Sequence, residues 1–209
     1  MSETAAPSRA TRLHALAAVI VGAGAGRRFG GPKAAARLSD GRRFVDVIAA
    51  IAHAAGLDPI VVVLPPGVPP PAPDRAQIRT VVNANSASEQ IDSVRLGLAQ
   101  LANAAVSAAV VWPVDHPFAR LESVLAVMDA ERRHGASIVI PVFEGRRGHP
   151  TLFHRDVWRE LMVAGAEGAR AVVRRDRARV HEVDVGDAGV RLGITTREDL
   201  DRATAPRGE

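Results

Sequence analysis

The chain has 209 residues, 47% hydrophobic and 24% charged, with no cysteine and a formal net charge of +4. This is the composition of one globular domain with a sizeable core, and it excludes a disulfide scaffold and a thiolate zinc site. The arginines are dispersed rather than gathered into the basic face that nucleic acid requires, and no apolar run reaches the roughly 18 residues of a membrane helix. The expectation is a cytoplasmic protein with neither nucleic acid nor membrane among its partners. Arg9 and Arg12, the apolar run from Leu13 and the Ala23-x-Ala25 pattern resemble a signal peptide. Cleavage there would cut through a glycine-rich loop, and a buried first strand explains the apolar run equally well.

Met1 to Thr11 is polar and rich in Ala, Pro and Ser. Residues 1–16 therefore read as a disordered tail, 17–203 as the domain and 204–209 as a C-terminal tail. Ala17 to Val21 reads as a fully apolar strand, and a long glycine loop follows to Lys33. Asp40-Gly41 marks a tight turn. Phe44, Val47, Ile48, Ile51 and Ala55 recur at helical spacing, with Gly56 placed to end that helix. Ile60 to Leu64 is the β-branched run of a strand buried on both faces. Pro65 to Asp74 holds six prolines and reads as a surface loop.

Ile78 to Val82 reads as a third strand and Asn85 to Leu101 as the approach to a helix and the helix itself, with Ser88 as a cap. Ala108 to Trp112 is a further buried strand, ending at Pro113-Val-Asp115-His116-Pro117. Leu121, Val124, Leu125 and Met128 give a helix closed near Gly135, and Ser137 to Val142 a strand. Arg146 to Phe153 is extended, Val157 to Met162 and Ala169 to Arg174 are helical, Val180 to Val185 is a late strand, and Thr196 to Ala203 is a closing helix. Strands alternating with helices predict a three-layer α/β domain, Rossmann-like, with a mostly parallel sheet.

In such sheets ligands sit beyond the carboxyl ends of the strands. Gly22, Gly24, Gly26, Gly30 and Gly31 follow the first strand, with Arg27, Arg28 and Lys33 among them. Glycines let the backbone approach a ligand, and successive N–H groups with nearby cations make an anion cradle. The dinucleotide pattern G-x-G-x-x-G fails at Arg27, and the P-loop pattern fails because Lys33 lies between Pro32 and Ala34. Asp115 ends another strand, stiffened by Pro113 and Pro117. It suits either a Mg²⁺–triphosphate, which takes one or two carboxylates plus phosphate oxygens, or the cap of a helix starting near Ala119.

His116 and His149 read as hydrogen-bond donors to an acceptor substrate. Arg146 and Arg147 read either as a grip on its phosphate or as a solvated loop. The His149-x₄-His154 spacing is not that of a zinc site. His14, His53, His134, His154 and His181 read as structural or solvated. A nicotinamide oxidoreductase is disfavoured by Arg27 and by Leu64-Pro65-Pro66, where an acidic residue would end the second strand.

These stretches resemble the molybdenum-cofactor nucleotidyltransferases. Val21, Ala23, Gly24, Gly26, Arg28, Phe29, Gly30 and Lys33 fall in register with the signature L-A-A-G-x-G-x-R-[MF]-G-x-x-K, Gly22 replacing an alanine. Asp115-His116-Pro117 matches the family's D-x-P, and Ser93 to Leu98 matches S-x-x-x-G-L. Gly148 to Phe153 is similar to the G-H-P-V-L-F of the molybdopterin cytidylyltransferase branch. The matches run in order from about residue 17 to about 200.

The resemblance implies transfer of an NMP, CMP before GMP, from CTP or GTP to a phosphorylated acceptor of molybdopterin type, releasing pyrophosphate. It implies Arg28, Lys33 and Asp115 as catalytic residues, with Mg²⁺ on Asp115. Ala23, Gly24, Ala25, Gly26, Asn85 and Ser93 would bind nucleotide, and His116, Arg147 and His149 the acceptor. Sugar or alcohol phosphates are alternative acceptors. Two positions depart from the pattern. Glu89 stands where a glycine is usual. Gly193-Ile-Thr195-Thr196-Arg197-Glu198-Asp199-Leu200 replaces D-I-D-T-P-E-D-[LY], so both early aspartates are missing. Asp184 and Asp187 are candidate substitutes for the metal ligand thus lost, and a nucleotide-binding protein without catalysis is the rival reading.

Overall fold

The computed structural model describes residues 15–71, 78–85 and 87–205. Most of both expected tails and residues 72–74 of the proline-rich loop lie outside the described residues. The strands are β1 (Leu16–Val21), β2 (Ile60–Leu64), β3 (Ile78–Val82), β4 (Ala108–Pro113), β5 (Ile138–Phe143), β6 (Arg146–Arg147), β7 (Thr151–His154) and β8 (Val180–Asp184). The helices are α1 (Phe44–Ala54), α2 (Gln90–Ala99), α3 (Leu121–His134), α4 (Trp158–Val163), α5 (Ala169–Arg175) and α6 (Arg197–Thr204).

All strands join one mixed, mostly parallel sheet. Its order is β3-β2-β1-β4-β7-β5, with β6 and β8 also paired to β5. β3, β2, β1 and β4 are mutually parallel, as are β5 and β8. The extended piece expected from Arg146 to Phe153 is two strands, broken at Gly148-His149-Pro150. β6 pairs antiparallel with β5, and β7 runs antiparallel between β4 and β5.

β1, β2 and β4 are buried along their whole length, as continuous apolar runs require when both sheet faces are covered. Alternate side chains feed two cores. Ala18, Ile20, Val62, Leu64, Val110 and Trp112 pack with α1 and α3 on one face. Ala17, Val19, Val61, Val63, Ala109 and Val111 pack with α2, α4 and α5 on the other. Gly56 ends α1 and Gly135 ends α3 as expected, with φ of 78° and 58°.

Two helix starts differ from expectation. α2 begins at Gln90, where the Asp92 carboxylate accepts from the Glu89 N–H at 2.9 Å. Ser88 instead accepts from Asn83 Nδ2, also at 2.9 Å. The start of α3 is held from far along the chain. Buried Asp187 accepts from the Arg120 N–H and the Ser123 hydroxyl, both at 2.8 Å. Asp115 is thereby free of capping duty.

β1 has β2 on one side and β4 on the other. Chain connections therefore diverge at β1/β4, and a crevice opens beyond their carboxyl ends. The glycine loop leaves β1 there, and Asp115 follows β4.

Candidate active site

The glycine loop is held by its own backbone. The Gly26 carbonyl accepts from the N–H groups of Phe29, Gly30 and Gly31 at 2.8, 3.0 and 3.2 Å. Gly26 has φ 60°, and a Cβ there would stand 1.8 Å from the Gly31 carbonyl oxygen, so the turn demands glycine. A Cβ on Gly24 would meet nothing within 4 Å; its lack of a side chain leaves the cleft open. Phe29 is buried against Phe44, their ring centroids 6.3 Å apart, and the Arg197 guanidinium lies over the Phe29 ring at 5.0 Å. The loop is thus pinned to the core at one side chain while Gly22, Gly24 and Gly26 line the crevice.

Lys33 Nζ donates to Asp115 Oδ2 at 3.1 Å, with side chains 17% and 32% exposed. This pair joins the two strand ends. A cleft of about 290 Å³ surrounds it, lined by Ala23, Gly24, Gly26, Arg28, Lys33, Ser93 and Asp115 among others. Of the sequence-expected site residues, these seven come together. Ala25 and Asn85 are exposed and outside that lining; Asn85 closes a turn by accepting from the Ala87 N–H at 3.0 Å. The polar wall beside Ser93 is organised by buried Asn83, whose Nδ2 donates to Ser88 Oγ at 2.9 Å and Ser93 Oγ at 3.3 Å.

A second cavity of about 700 Å³ adjoins the first, and Glu89, Gln90 and Pro113 line both. Arg147 and His149 line it, together with Arg170 and Arg174. Arg147 is paired with Glu182 at 2.6 Å. Sequence reading missed Arg170 and Arg174. Their spacing of four on α5 was the available signal, since it places both on one helix face.

His116 lies between Asp115 and His149, its ring centroid 4.7 Å from that of His149. Burial holds the His116 imidazole below its usual pKa, against the pull of the neighbouring Asp115. Burial, then His116, push His149 down to about 4. Both rings therefore favour the neutral form, and among the described residues the Nδ1 atom of each is buried with no hydrogen-bond partner. His154 sits apart, beside Asp156 at 3.2 Å.

Gly193 and Thr195 stand where carboxylates were looked for. Asp187 does not replace them, because its carboxylate is committed to α3 and to the Gly189 N–H at 2.8 Å. Asp184 is exposed at the end of β8, opposite Val142. Among the described residues no group of three His, Cys, Asp or Glu side chains converges as a metal cage, and no helix is long and apolar enough to cross a membrane.

A parallel-sheet switch point carrying a glycine loop, a lysine–aspartate pair and a contiguous basic cavity defines a nucleotidyltransferase-type α/β domain. The chain belongs to the family of the MobA-like NTP transferase domain, whose model matches residues 18–182. No curated protein sequence matches it. Among solved structures it is similar to Rv0371c from Mycobacterium tuberculosis H37Rv, with TM-score 0.76 and 23% identity over 92% of this chain and 98% of that one. A manganese complex of Rv0371c from the same strain gives TM-score 0.72 and 22% identity over 92% and 100%. The 2-C-methyl-D-erythritol 4-phosphate cytidylyltransferase of Thermus thermophilus gives 0.64 and 22% over 91% and 97%.

Proposed function

We propose that this nucleotidyltransferase transfers an NMP, CMP by preference, from its NTP to a phosphorylated small molecule, with a molybdopterin-type cofactor as first candidate. The observation that carries this reading is the pair of adjoining cavities. The smaller holds the glycine loop, Lys33 and Asp115; the larger is walled by Arg147, Arg170, Arg174 and His149; they share Glu89, Gln90 and Pro113. Donor and acceptor phosphates entering from the two sides would meet beside Asp115. The Gly148-His149-Pro150 match and the cytidylyltransferase among the structural neighbours support CTP. That neighbour's named substrate also supports a second reading, in which the acceptor is an alcohol phosphate.

The chemistry is a single displacement. An acceptor phosphate oxygen bonds to the α-phosphorus, the bond from that phosphorus to the bridging oxygen breaks, and pyrophosphate leaves with the electron pair. The attacking phosphate is already anionic at pH 7, so no general base is needed. Positioning and charge stabilisation do the work. Ala23, Gly24 and Gly26 bring backbone N–H groups to the triphosphate, while Ser93 and the Asn83–Ser88 wall border the nucleoside. Arg28 and Lys33 hold the charge that grows on the departing pyrophosphate.

A divalent cation, as in the manganese complex of the neighbour, fits the donor chemistry here. Asp115 presents a partly exposed carboxylate to the cleft beside the phosphate cradle, as Mg²⁺ or a related dication requires. Asp115 would hold such a cation, which would supply charge neutralisation for the phosphates. Lys33, now paired with Asp115 at 3.1 Å, would be free to donate to phosphate. His149 and Arg147 orient the acceptor from the larger cavity.

The test is transfer of label from α-³²P-CTP, with pyrophosphate release measured alongside. Lys33→Ala and Asp115→Ala should each lower kcat by about 100-fold or more. Unchanged turnover in both variants would overturn these roles. Nucleotide binding without transfer to any acceptor, with or without cation, would favour the non-catalytic reading that Gly193 raises.

A further inference from the structure

The three arginines of the larger cavity differ in what surrounds them. Arg147 is tied to Glu182 by contacts of 2.6 and 2.7 Å. Arg174 donates to Glu167 at 3.2 Å. Arg170 lines the same cavity and, among the described residues, makes neither an ion pair nor a side-chain hydrogen bond. The fourth basic group of the wall is His149. Burial, more than any neighbour, pushes it down to about 4, so it favours its neutral form. Arg170 is therefore the uncompensated positive charge of this wall. Asp115 and Arg170 both act electrostatically on the His149 ring, which lies within reach of the two.

Helix α5 puts Arg170 in this place. Ala169, Arg170, Val173 and Arg174 all line the cavity, the set that a single helix face presents, while Val172 anchors the helix in the core. Gly168 lets α5 start close against α2. Its φ is 57°, and a Cβ there would stand 3.2 Å from Ile91 Cβ. The rest of the lining includes Val111, Ile140 and Phe153, which give the cavity an apolar floor. A guanidinium already paired with a carboxylate must share or surrender that partner to take a phosphate, and the carboxylate repels the newcomer. Arg170 meets neither cost.

We propose that Arg170 is the residue that grips the acceptor's phosphate, and that Arg147 and Arg174 shape the cavity from within their ion pairs. The proposal rests on the reading of the larger cavity as the acceptor site. The ligand class is a phosphomonoester whose organic group carries apolar surface. The guanidinium donates two parallel bonds to the phosphate, and the organic group covers the floor of Val111, Ile140 and Phe153. The phosphate grip thereby passes from Arg147 to Arg170.

The experiment titrates the full chain with phenyl phosphate, a phosphomonoester with an apolar group, and follows the arginine Nε–H signals by NMR. The Arg170 signal, identified by its loss in Arg170→Lys, should shift most. Arg170→Gln should weaken phenyl phosphate about tenfold or more, and Arg170→Lys should restore part of the loss. Arg147→Gln and Arg174→Gln should each cost about threefold or less. Inorganic phosphate should bind more weakly than phenyl phosphate, and Mg²⁺–pyrophosphate affinity should be the same in Arg170→Gln as in wild type. Binding that depends on Arg147 or Arg174 but not on Arg170 would overturn the proposal and leave the acceptor reading of the cavity intact. Loss of pyrophosphate rather than phenyl phosphate in Arg170→Gln would assign Arg170 to the nucleotide's phosphates and overturn it too. Phenyl phosphate that fails to bind, or that competes with pyrophosphate without moving any of the three signals, would overturn both the proposal and the acceptor reading.

Discussion

Gly97→Ala should destabilise the protein although it places alanine, the best helix former, inside a helix. Gly97 lies in α2, and a Cβ there would stand 2.2 Å from Val19 Cγ1, far inside the ~3.5–4.0 Å of carbon contact. Val19 is fully buried in the central strand β1, and its β-branched side chain has little rotamer freedom. Overpacking of this severity costs about 3 kcal/mol, and the gain in helix propensity returns about 1 kcal/mol. The net loss of about 2 kcal/mol should lower Tm by roughly 4–8 °C for a chain of this size.

Val19→Ala removes the methyl groups that the new Cβ strikes. Alone it deletes two buried methyls at a cost of about 2 kcal/mol. Combined with Gly97→Ala it should show a favourable coupling of about 2 kcal/mol in denaturant unfolding. A Gly97→Ala variant as stable as wild type, or strict additivity of the two substitutions, would refute the claim that α2 touches β1 backbone-close at this point. The contact matters for the site because Glu89, Gln90 and Ser93 reach the cleft from the other end of the same helix.

Gly26→Ala should abolish CTP binding in calorimetry, because its φ and the 1.8 Å approach to Gly31 break the loop, whereas Gly24→Ala should leave Tm within about 2 °C of wild type; equal effects on loop and stability would contradict the assigned geometry. Asp187→Ala should cost about 1–3 kcal/mol in urea unfolding by orphaning the Ser123 hydroxyl and the Arg120 N–H, and it should leave Mn²⁺ affinity unchanged; loss of metal binding in a folded variant would restore Asp187 as a ligand. The Thr196 and Thr195 N–H groups hold the Asp199 carboxyl below its ordinary range. Its contribution is therefore present at neutral pH and lost as acidity passes from the unfolded pKa near 3.8 down through the folded one. The Tm gap between wild type and Asp199→Asn should be widest near pH 7 and shrink progressively as the pH falls below about 3.8, and a gap constant with pH would refute the assignment.

What the chain's local chemistry dictates was readable. The apolar runs of β1, β2 and β4, the glycine loop and Asp115 each announce themselves within a few residues, and their meeting follows from the rule that ligands sit where parallel strands end. What depends on distant partners was not. Asp187 caps a helix that begins more than 60 residues earlier in the chain, so nothing near Ala119 or Leu121 could reveal it, and Ser88 looked like a cap because its engagement with Asn83 is a tertiary contact. β7 inserts antiparallel between β4 and β5, which strand-like patterning alone leaves open. The departure at Gly193 was visible as a loss. That His116 lies against Gly193 required the fold, because these segments, far apart in the chain, meet through tertiary contacts such as the Ile194–Asp115 backbone bond.

The central claim is that the cleft beyond β1 and β4 binds a nucleoside triphosphate with a divalent cation. Thermal unfolding with CTP, GTP, ATP, UTP and NADH in turn, each with and without Mg²⁺ or Mn²⁺, tests it most directly. At about 100 times Kd a bound ligand adds about 2.7 kcal/mol, or roughly 5–11 °C here. The account predicts a cation-dependent rise of that size with one triphosphate, CTP first, and none with NADH; no rise with any triphosphate, or a rise with NADH alone, would contradict it.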